Sequence, residues 1–205
     1  MKRLILSAVV LLASLGSFAQ NTVGHWSILP KAGINIATMT NQDGCDPRIG
    51  FVGGLEAEYQ ATDVLGISAG LLYSQQGVKA DAEEVDCTIK LDYINIPILA
   101  NFYVAKGFAI KLGIQPGFKV NDKAKVSVGG ASAEMGLEDA LKNGDVDDAS
   151  VKSVDLAIPV GLSYEYKNVQ LDARYNWGVS KAITGGGESS RNSVFQITLG
   201  YKFKL

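Results

Sequence analysis

Apolar and polar residues alternate with period two in eight separate segments of this chain, which is the signature of half-buried strands. They fall at about 27–39, 49–59, 67–76, 93–102, 108–119, 154–165, 169–177 and 195–205. In the fifth, Phe108, Ile110, Leu112, Ile114 and Phe118 oppose Lys111, Gly113, Gln115 and Lys119. In the seventh, Val169, Leu171, Ala173, Tyr175 and Trp177 oppose Gln170, Asp172, Arg174 and Asn176. The first is weakest, with Ile28, Ala32, Ile34 and Ile36 against Lys31, Gly33 and Asn35. Most run to about ten residues or more, against the five or six usual in soluble sheets. That length suits a tilted strand crossing a bilayer.

The connections alternate as well. Ala61-Thr62-Asp63, Ala105-Lys106-Gly107 and Lys167-Asn168 are tight turns. Between them lie long polar segments at 40–48, 77–88, 121–152 and 181–191. Short turns on one side and long loops on the other predict an outer-membrane barrel with both termini in the periplasm. The fold class read from the chain is therefore all-β, an eight-stranded antiparallel up-and-down transmembrane β-barrel.

The composition of the two faces decides which one meets lipid. The apolar faces are bulky and nearly free of charge. The polar faces carry Gly, Ser and Asn together with Glu56, Glu58, Lys111, Glu165, Asp172, Arg174 and Lys202. One Lys or Arg facing lipid at mid-depth would cost about 2–4 kcal/mol. Eight strands, however, enclose a space that side chains can just fill. These seven residues are expected to pair inside as a charge network, with Arg174 reaching Glu56 or Glu58 across the lumen and Asp172 beside it. Tyr59, Phe102, Tyr103, Tyr164, Tyr166 and Phe203 gather towards strand ends, as interfacial girdles do.

The 205 residues carry 19 basic and 21 acidic side chains, with one His and two Cys. A formal charge of −2 leaves no basic footprint for nucleic acid. Lys2 and Arg3 precede an apolar run from Leu4 to Leu15, followed by the small-residue site Ser17-Phe18-Ala19. This pattern predicts a signal peptide over residues 1–19 and a barrel domain over 20–205. No Cys follows the cleavage point, so no lipid anchor is expected. In an exported chain Cys45 and Cys87, in the first two long loops, stand either as a disulfide or as two thiols.

The last eight residues, Thr198-Leu199-Gly200-Tyr201-Lys202-Phe203-Lys204-Leu205, resemble the C-terminal assembly signal of outer-membrane proteins. Thr198, Gly200, Phe203 and Leu205 match its polar, Gly, aromatic and hydrophobic positions. That signal often ends in Phe, whereas this chain ends in Leu. The assembly machinery would take it as an added strand. The whole mature chain resembles the PorT-like family of small outer-membrane barrels of Gram-negative Bacteroidota. Lys31-Ala32-Gly33-Ile34-Asn35, Leu72-Tyr73-Ser74-Gln75-Gln76-Gly77, Leu91-Asp92-Tyr93-Ile94-Asn95-Ile96-Pro97-Ile98-Leu99, Asp172-Ala173-Arg174-Tyr175 and Leu199-Gly200-Tyr201-Lys202-Phe203 carry the likeness. The resemblance implies a fold and an outer-membrane location, and it brings no active-site motif.

The remaining chemistry is thin. His25 lies before the first strand and lacks a nucleophile or carboxylate at its own height. Asn143-Gly144-Asp145-Val146-Asp147-Asp148 lacks the ligand spacing of a calcium loop and reads as a solvated acidic segment. Gly185-Gly186-Gly187 has no following Lys-Ser/Thr and is no phosphate cradle. Ser132 to Lys142 reads as an ordered loop or a short amphipathic helix. No catalytic, cofactor or metal residue is expected. The functional expectation is a monomeric, non-enzymatic barrel with a plugged interior, serving envelope structure or contact with an extracellular or periplasmic partner. A small pore and a lipid-modifying enzyme are the alternatives. The narrow charged interior opposes the pore, and the lack of a His in any long loop opposes the enzyme.

Overall fold

A computed structural model describes residues 23–40, 45–82, 85–128, 131–137, 150–185 and 188–205. The expected signal peptide and the acidic segment 143–148 lie outside the described residues, as do Gly186 and Gly187. The first half of the chain forms β1 (Trp26–Met39), β2 (Asp46–Gln60), β3 (Leu65–Ala82), β4 (Val85–Asn95), β5 (Ile98–Ala105) and β6 (Phe108–Val128). Then come β7 (Ala131–Gly136), β8 (Ser150–Val151), β9 (Val154–Tyr166) and β10 (Val169–Gly178). The chain ends with β11 (Ile183–Gly185), β12 (Glu188–Ser190), β13 (Asn192–Tyr201) and β14 (Phe203–Lys204).

Eight antiparallel staves close on themselves. Each pairs with the next in sequence, and β13 pairs with β1 from Lys31↔Gly200 to Met39↔Asn192. One stave is double: β4 and β5 are two halves of the expected fourth strand, separated at Ile96-Pro97. Pro97 has no N–H for the ladder. The Ile96 N–H is redirected to the Pro116 carbonyl at 2.8 Å, and the Gly70 N–H donates to the Pro97 carbonyl at 3.0 Å.

Register gives the barrel its dimensions. Partners run from Trp26 through Tyr59, Ile67, Ala100, Leu112, Val160, Tyr175 and Phe195, and return to β1 at Ile36. The circuit comes back ten residues along β1. With a rise of ~3.3 Å per residue and a strand spacing of ~4.8 Å, the staves tilt by about 40°. A barrel this narrow has room for side chains and little else.

The faces divide as the alternation requires. Leu55, Leu71, Leu112, Ile114, Leu171 and Leu199 point outward, each about half exposed, and form a continuous apolar belt. Trp26 packs on Tyr59 and Tyr201 on Phe203 at the short-turn end of the belt. Tyr103 departs from the expected girdle. It shares the inward phase of Asn101 and Leu99, is buried, and points into the lumen.

The short turns have local causes. The Thr62 hydroxyl accepts the Leu65 N–H at 3.0 Å. Lys167, at φ 57°, makes the two-residue hairpin between β9 and β10 with Asn168. Gly107 has φ 74°, and a Cβ there would sit 2.2 Å from the Glu165 carbonyl oxygen, so only glycine fits.

The long-loop end differs most from expectation. The polar segment 77–88 is strand for most of its length, because β3 continues to Ala82 and β4 starts at Val85. β6 runs on to Val128 and pairs with β7, so residues 131–136 are strand and not helix. β8, β11 and β12 add a small three-stranded sheet within the other long segments. The polarity of the barrel inverts there. Met39, Val78, Leu91, Tyr93, Ala124, Leu137, Val151 and Ala182 make an apolar cluster on the inside, with Cys45 packed against it. Lys79, Lys90, Lys123 and Lys125 belong to the opposite, outward phase of the same staves.

Candidate functional site

Below the apolar cluster the lumen is polar, and the polarity follows from strand phase. Odd-numbered positions of β1 and β6 and even-numbered positions of β2, β10 and β13 point inward, so Lys31, Lys111, Glu56, Asp172 and Arg174 project into one layer. All five side chains are at most 1% exposed.

The five form one ion cluster. The Lys31 ammonium donates to Glu56 Oε2 at 3.0 Å and lies 3.6 Å from Asp172 Oδ2. The Lys111 ammonium donates to Asp172 Oδ2 at 2.6 Å and to Gln170 Oε1 at 3.1 Å, and lies 3.6 Å from Glu56 Oε1. Arg174 donates through Nε to Asp172 Oδ1 at 2.8 Å and through Nη2 to Glu56 Oε2 at 3.1 Å. Burial of such charges is tolerable only because each finds partners; a lone buried ion costs several kcal/mol. Gly161 makes room for Arg174, since a Cβ there would lie 2.6 Å from Arg174 Cβ.

A second cluster lies nearer the short turns. The Lys202 ammonium donates to Glu58 Oε1 at 2.7 Å and to Glu165 Oε2 at 3.2 Å. Glu58 also accepts from the Tyr103 hydroxyl at 2.5 Å and from Asn101 Nδ2 at 2.7 Å.

The seven expected interior residues thus stand in two groups. Glu56, Lys111, Asp172 and Arg174 meet in the first, and Glu58, Glu165 and Lys202 in the second. Arg174 reaches Glu56 and not Glu58. Lys31 and Tyr103 were outside the expected set. The signal for Lys31 was its place on the polar face of the first strand. For Tyr103 it was sharing a phase with Asn101, which its aromatic character masked.

Polar contacts continue upward. Asp92 lies 3.5 Å from Arg48 and accepts from Tyr73 and Asn121, while Arg48 also donates to the Gln76 carbonyl. Asp155 accepts from Ser180 at 2.6 Å and from Asn192 at 3.0 Å. On the outward face of the strand extension, Lys90 donates to Glu134 at 2.5 Å. That hydrogen bond, and then the Lys90 charge, hold the exposed Glu134 carboxyl below its ordinary range.

The other expected positions are scattered. His25 is exposed, with Nδ1 3.4 Å from the Val23 carbonyl. The structure does not join Cys45 to Cys87. Asp46, beside Cys45, pairs with Lys79, and Cys87 pairs with Ala80, so β3 runs between the two thiols. Two strand spacings are about 10 Å, beyond the ~7 Å Cα limit for a bridge. Thr198 is buried beside the first cluster, whereas Phe203 and Leu205 point outward. Among the described residues no cluster of His, Cys, Asp and Glu could hold a metal, and no helix is long and apolar enough to cross a membrane.

Known proteins offer a family match for this geometry. A family model described as "Outer membrane protein beta-barrel domain" matches residues 18–184. No curated protein sequence matches the chain. Among solved structures, the attachment invasion locus protein of Yersinia pestis is similar at 20% identity and TM-score 0.49, covering 89% of this chain and 100% of its own. Neisserial surface protein A is similar at 18% identity and TM-score 0.47, covering 88% and 97%. The outer membrane protein W of E. coli gives 19% and 0.44, covering 90% and 100%. The family match and the closed ring of staves, not these likenesses, carry the assignment.

Proposed function

Because this chain belongs to the outer membrane protein β-barrel domain family, we propose that it is a closed, non-conducting and non-enzymatic barrel that works through its outward end. The protein resides in the outer membrane. The observation that carries the proposal is the first ion cluster, whose five side chains come from β1, β2, β6 and β10 and meet across the lumen. An eight-stranded lumen filled in this way has no width left for a solute.

The outward end is built for contact. β3, β4, β6 and β7 extend as a sheet past the apolar belt, and Lys79, Lys90, Lys123 and Lys125 lie on its outer face with Glu134 among them. Acidic positions share that face, Asp46 opposite Lys79 and Glu134 opposite Lys125, so a partner there meets charges of both signs. The sheet's apolar inside makes it a rigid support for that face. Residues 1–19 serve as the export signal in this reading. Thr198, Gly200, Phe203 and Leu205 are the strand taken by the assembly machinery, and the motifs quoted above support a finer place among PorT-like barrels.

The test is a surface assay. Cells displaying the wild-type chain, and a variant with the four lysines replaced by glutamine, are compared for retention on heparin-coated beads. Loss of retention at equal surface display is expected. Equal retention of the two would refute a role for these lysines.

A further inference from the structure

β1 both opens and closes the ring, pairing with β2 on one side and with β13 and β14 on the other. At this seam the Leu205 N–H donates to the Trp26 carbonyl and the Thr40 N–H to the Arg191 carbonyl, each at 2.9 Å. Hydrogen-bonded pairs alternate along an antiparallel ladder, so the even-numbered residues of β1 bond across the seam. Pro30 is one of them and has no N–H to give. Pairing lapses at Leu29 and Pro30, between Ile28↔Phe203 and Lys31↔Gly200, and the last stave breaks at Lys202. On the outer wall a groove of about 480 Å³ lies over the same place, lined by Pro30, Ala32, Val169, Leu199, Gly200 and Tyr201.

Behind this gap, ion pairs cross the seam inside the barrel. The Lys202 ammonium, at the break itself, donates to Glu58 on β2 at 2.7 Å. Arg174 on β10 reaches Glu56 on β2 at 3.1 Å, and the Lys31 ammonium on β1 lies 3.6 Å from Asp172 on β10. β1 and β2 lie on one side of the seam, β10 and β13 on the other. These are not contacts between ladder partners. Arg174 stands opposite Gly161 and Gln196, and Lys31 has a glycine on either side, Gly54 and Gly200. Glu165, which accepts from Lys202 at 3.2 Å, is on β9 and so on the same side as β10 and β13.

The apolar pattern does not choose this register by itself. A slip by one residue turns every side chain to the wrong face, whereas a slip by two keeps each face as it is. The belt would stay apolar and the lumen polar. The ions forbid it, because two residues of rise move β10 and β13 by about 7 Å against β1 and β2. That carries Lys202 away from Glu58 and Arg174 away from Glu56, and leaves buried charges short of partners.

We propose that the pairs Lys202–Glu58, Arg174–Glu56 and Lys31–Asp172 fix the register in which the last stave closes on the first. They do for this seam what a buried polar residue does for the register of a coiled coil. Lys202 is placed for the task. It sits at the break in the last stave and outside the four positions of the C-terminal signal, Thr198, Gly200, Phe203 and Leu205.

Disulfide trapping in the full barrel, with Cys45 and Cys87 first replaced by alanine, reads the register. Ile34→Cys with Ile197→Cys reports the native one, because these two are cross-strand partners on the outward face. Hydrogen-bonded partners stand ~5.5 Å apart at Cα, within the range of a disulfide. Ile34→Cys with Phe195→Cys or Leu199→Cys reports a slip of two, since diagonal neighbours stand about 7–8 Å apart until the strand moves. With the ion pairs intact, only the native pair should close in heat-modifiable folded barrel. In Lys202→Met with Arg174→Met the native crosslink should fall several-fold and a slipped one should appear. Lys202→Met alone, which leaves the first cluster whole, should shift the same way to a smaller degree. Glu165→Gln removes a partner on the same side of the seam and should keep the native crosslink. Folded barrel of the Lys202→Met variants that still closes only through positions 34 and 197 overturns the proposal. So does a Glu165→Gln barrel that slips as far, because the effect would then be general loosening. Either result leaves the closed barrel and its outward contact face untouched.

Discussion

Three cations and two carboxylates meet in the first ion cluster, so its members should respond unequally to substitution. Arg174→Met removes one of the three cations. It leaves two closed pairs, Lys31 with Glu56 at 3.0 Å and Lys111 with Asp172 at 2.6 Å. Glu56→Gln removes one of the two carboxylates and strands all three cations with Asp172 alone. Breaking a buried pair from one side costs about 3–5 kcal/mol. The arginine variant should fall at the lower end of that range, about 3 kcal/mol, because its former partners stay paired. The glutamine variant should reach the upper end, about 5 kcal/mol, with two cations left short. In the double variant two lysines face Asp172, so its cost should fall short of the sum by more than about 1 kcal/mol. Equilibrium urea unfolding in detergent, followed by fluorescence of Trp26 and Trp177, gives all three values. Additivity within about 0.5 kcal/mol, or an arginine variant worse than the glutamine one, would mean that the five side chains do not act as one cluster.

Three further outcomes are expected. Gly161→Val places a side chain where even a Cβ lies 2.6 Å from Arg174 Cβ and 2.7 Å from the Ala173 carbonyl oxygen, so the yield of heat-modifiable folded barrel should collapse. Phe203→Ala alters an outward, half-exposed ring and should leave unfolding in detergent nearly unchanged while precursor accumulates in the periplasm; normal membrane insertion would count against the assembly role. Because the Glu134 carboxyl is held down in the folded chain, its pairing with Lys90 is present above the ordinary value of 4.5 and is lost as the pH falls through the lowered one. An NMR titration should place the Glu134 midpoint below 4.5 and move it upward, towards the ordinary value, in Lys90→Met.

The membrane-spanning part was legible in the sequence because lipid imposes one rule on every stave. Ile110, Leu112 and Ile114 can face only outward, and the opposite phase then fixes Lys111 as inward. The long-loop end broke that rule. Above the belt the outer face meets water, so Val78 and Leu91 turn inward while Lys79 and Lys90 turn outward. The alternation continues with its polarity reversed, and residues 77–88 read as polar loop. The split at Ile96-Pro97 was present as a proline within an apolar run, but alternation alone passed over it. The grouping of charges was less legible than their direction. Phase placed Glu56 and Glu58 on one face, yet only the register around the ring puts the first beside Arg174 and the second beside Lys202.

If the buried ion cluster closes the barrel, single-channel recording in planar bilayers will show it. The purified wild-type barrel should insert without steady openings at any applied voltage. A variant with Lys31, Glu56, Lys111, Asp172 and Arg174 all replaced by alanine, selected for heat-modifiable folded barrel, should conduct. A stable, ohmic channel from the wild-type protein would mean that the cluster leaves the lumen open.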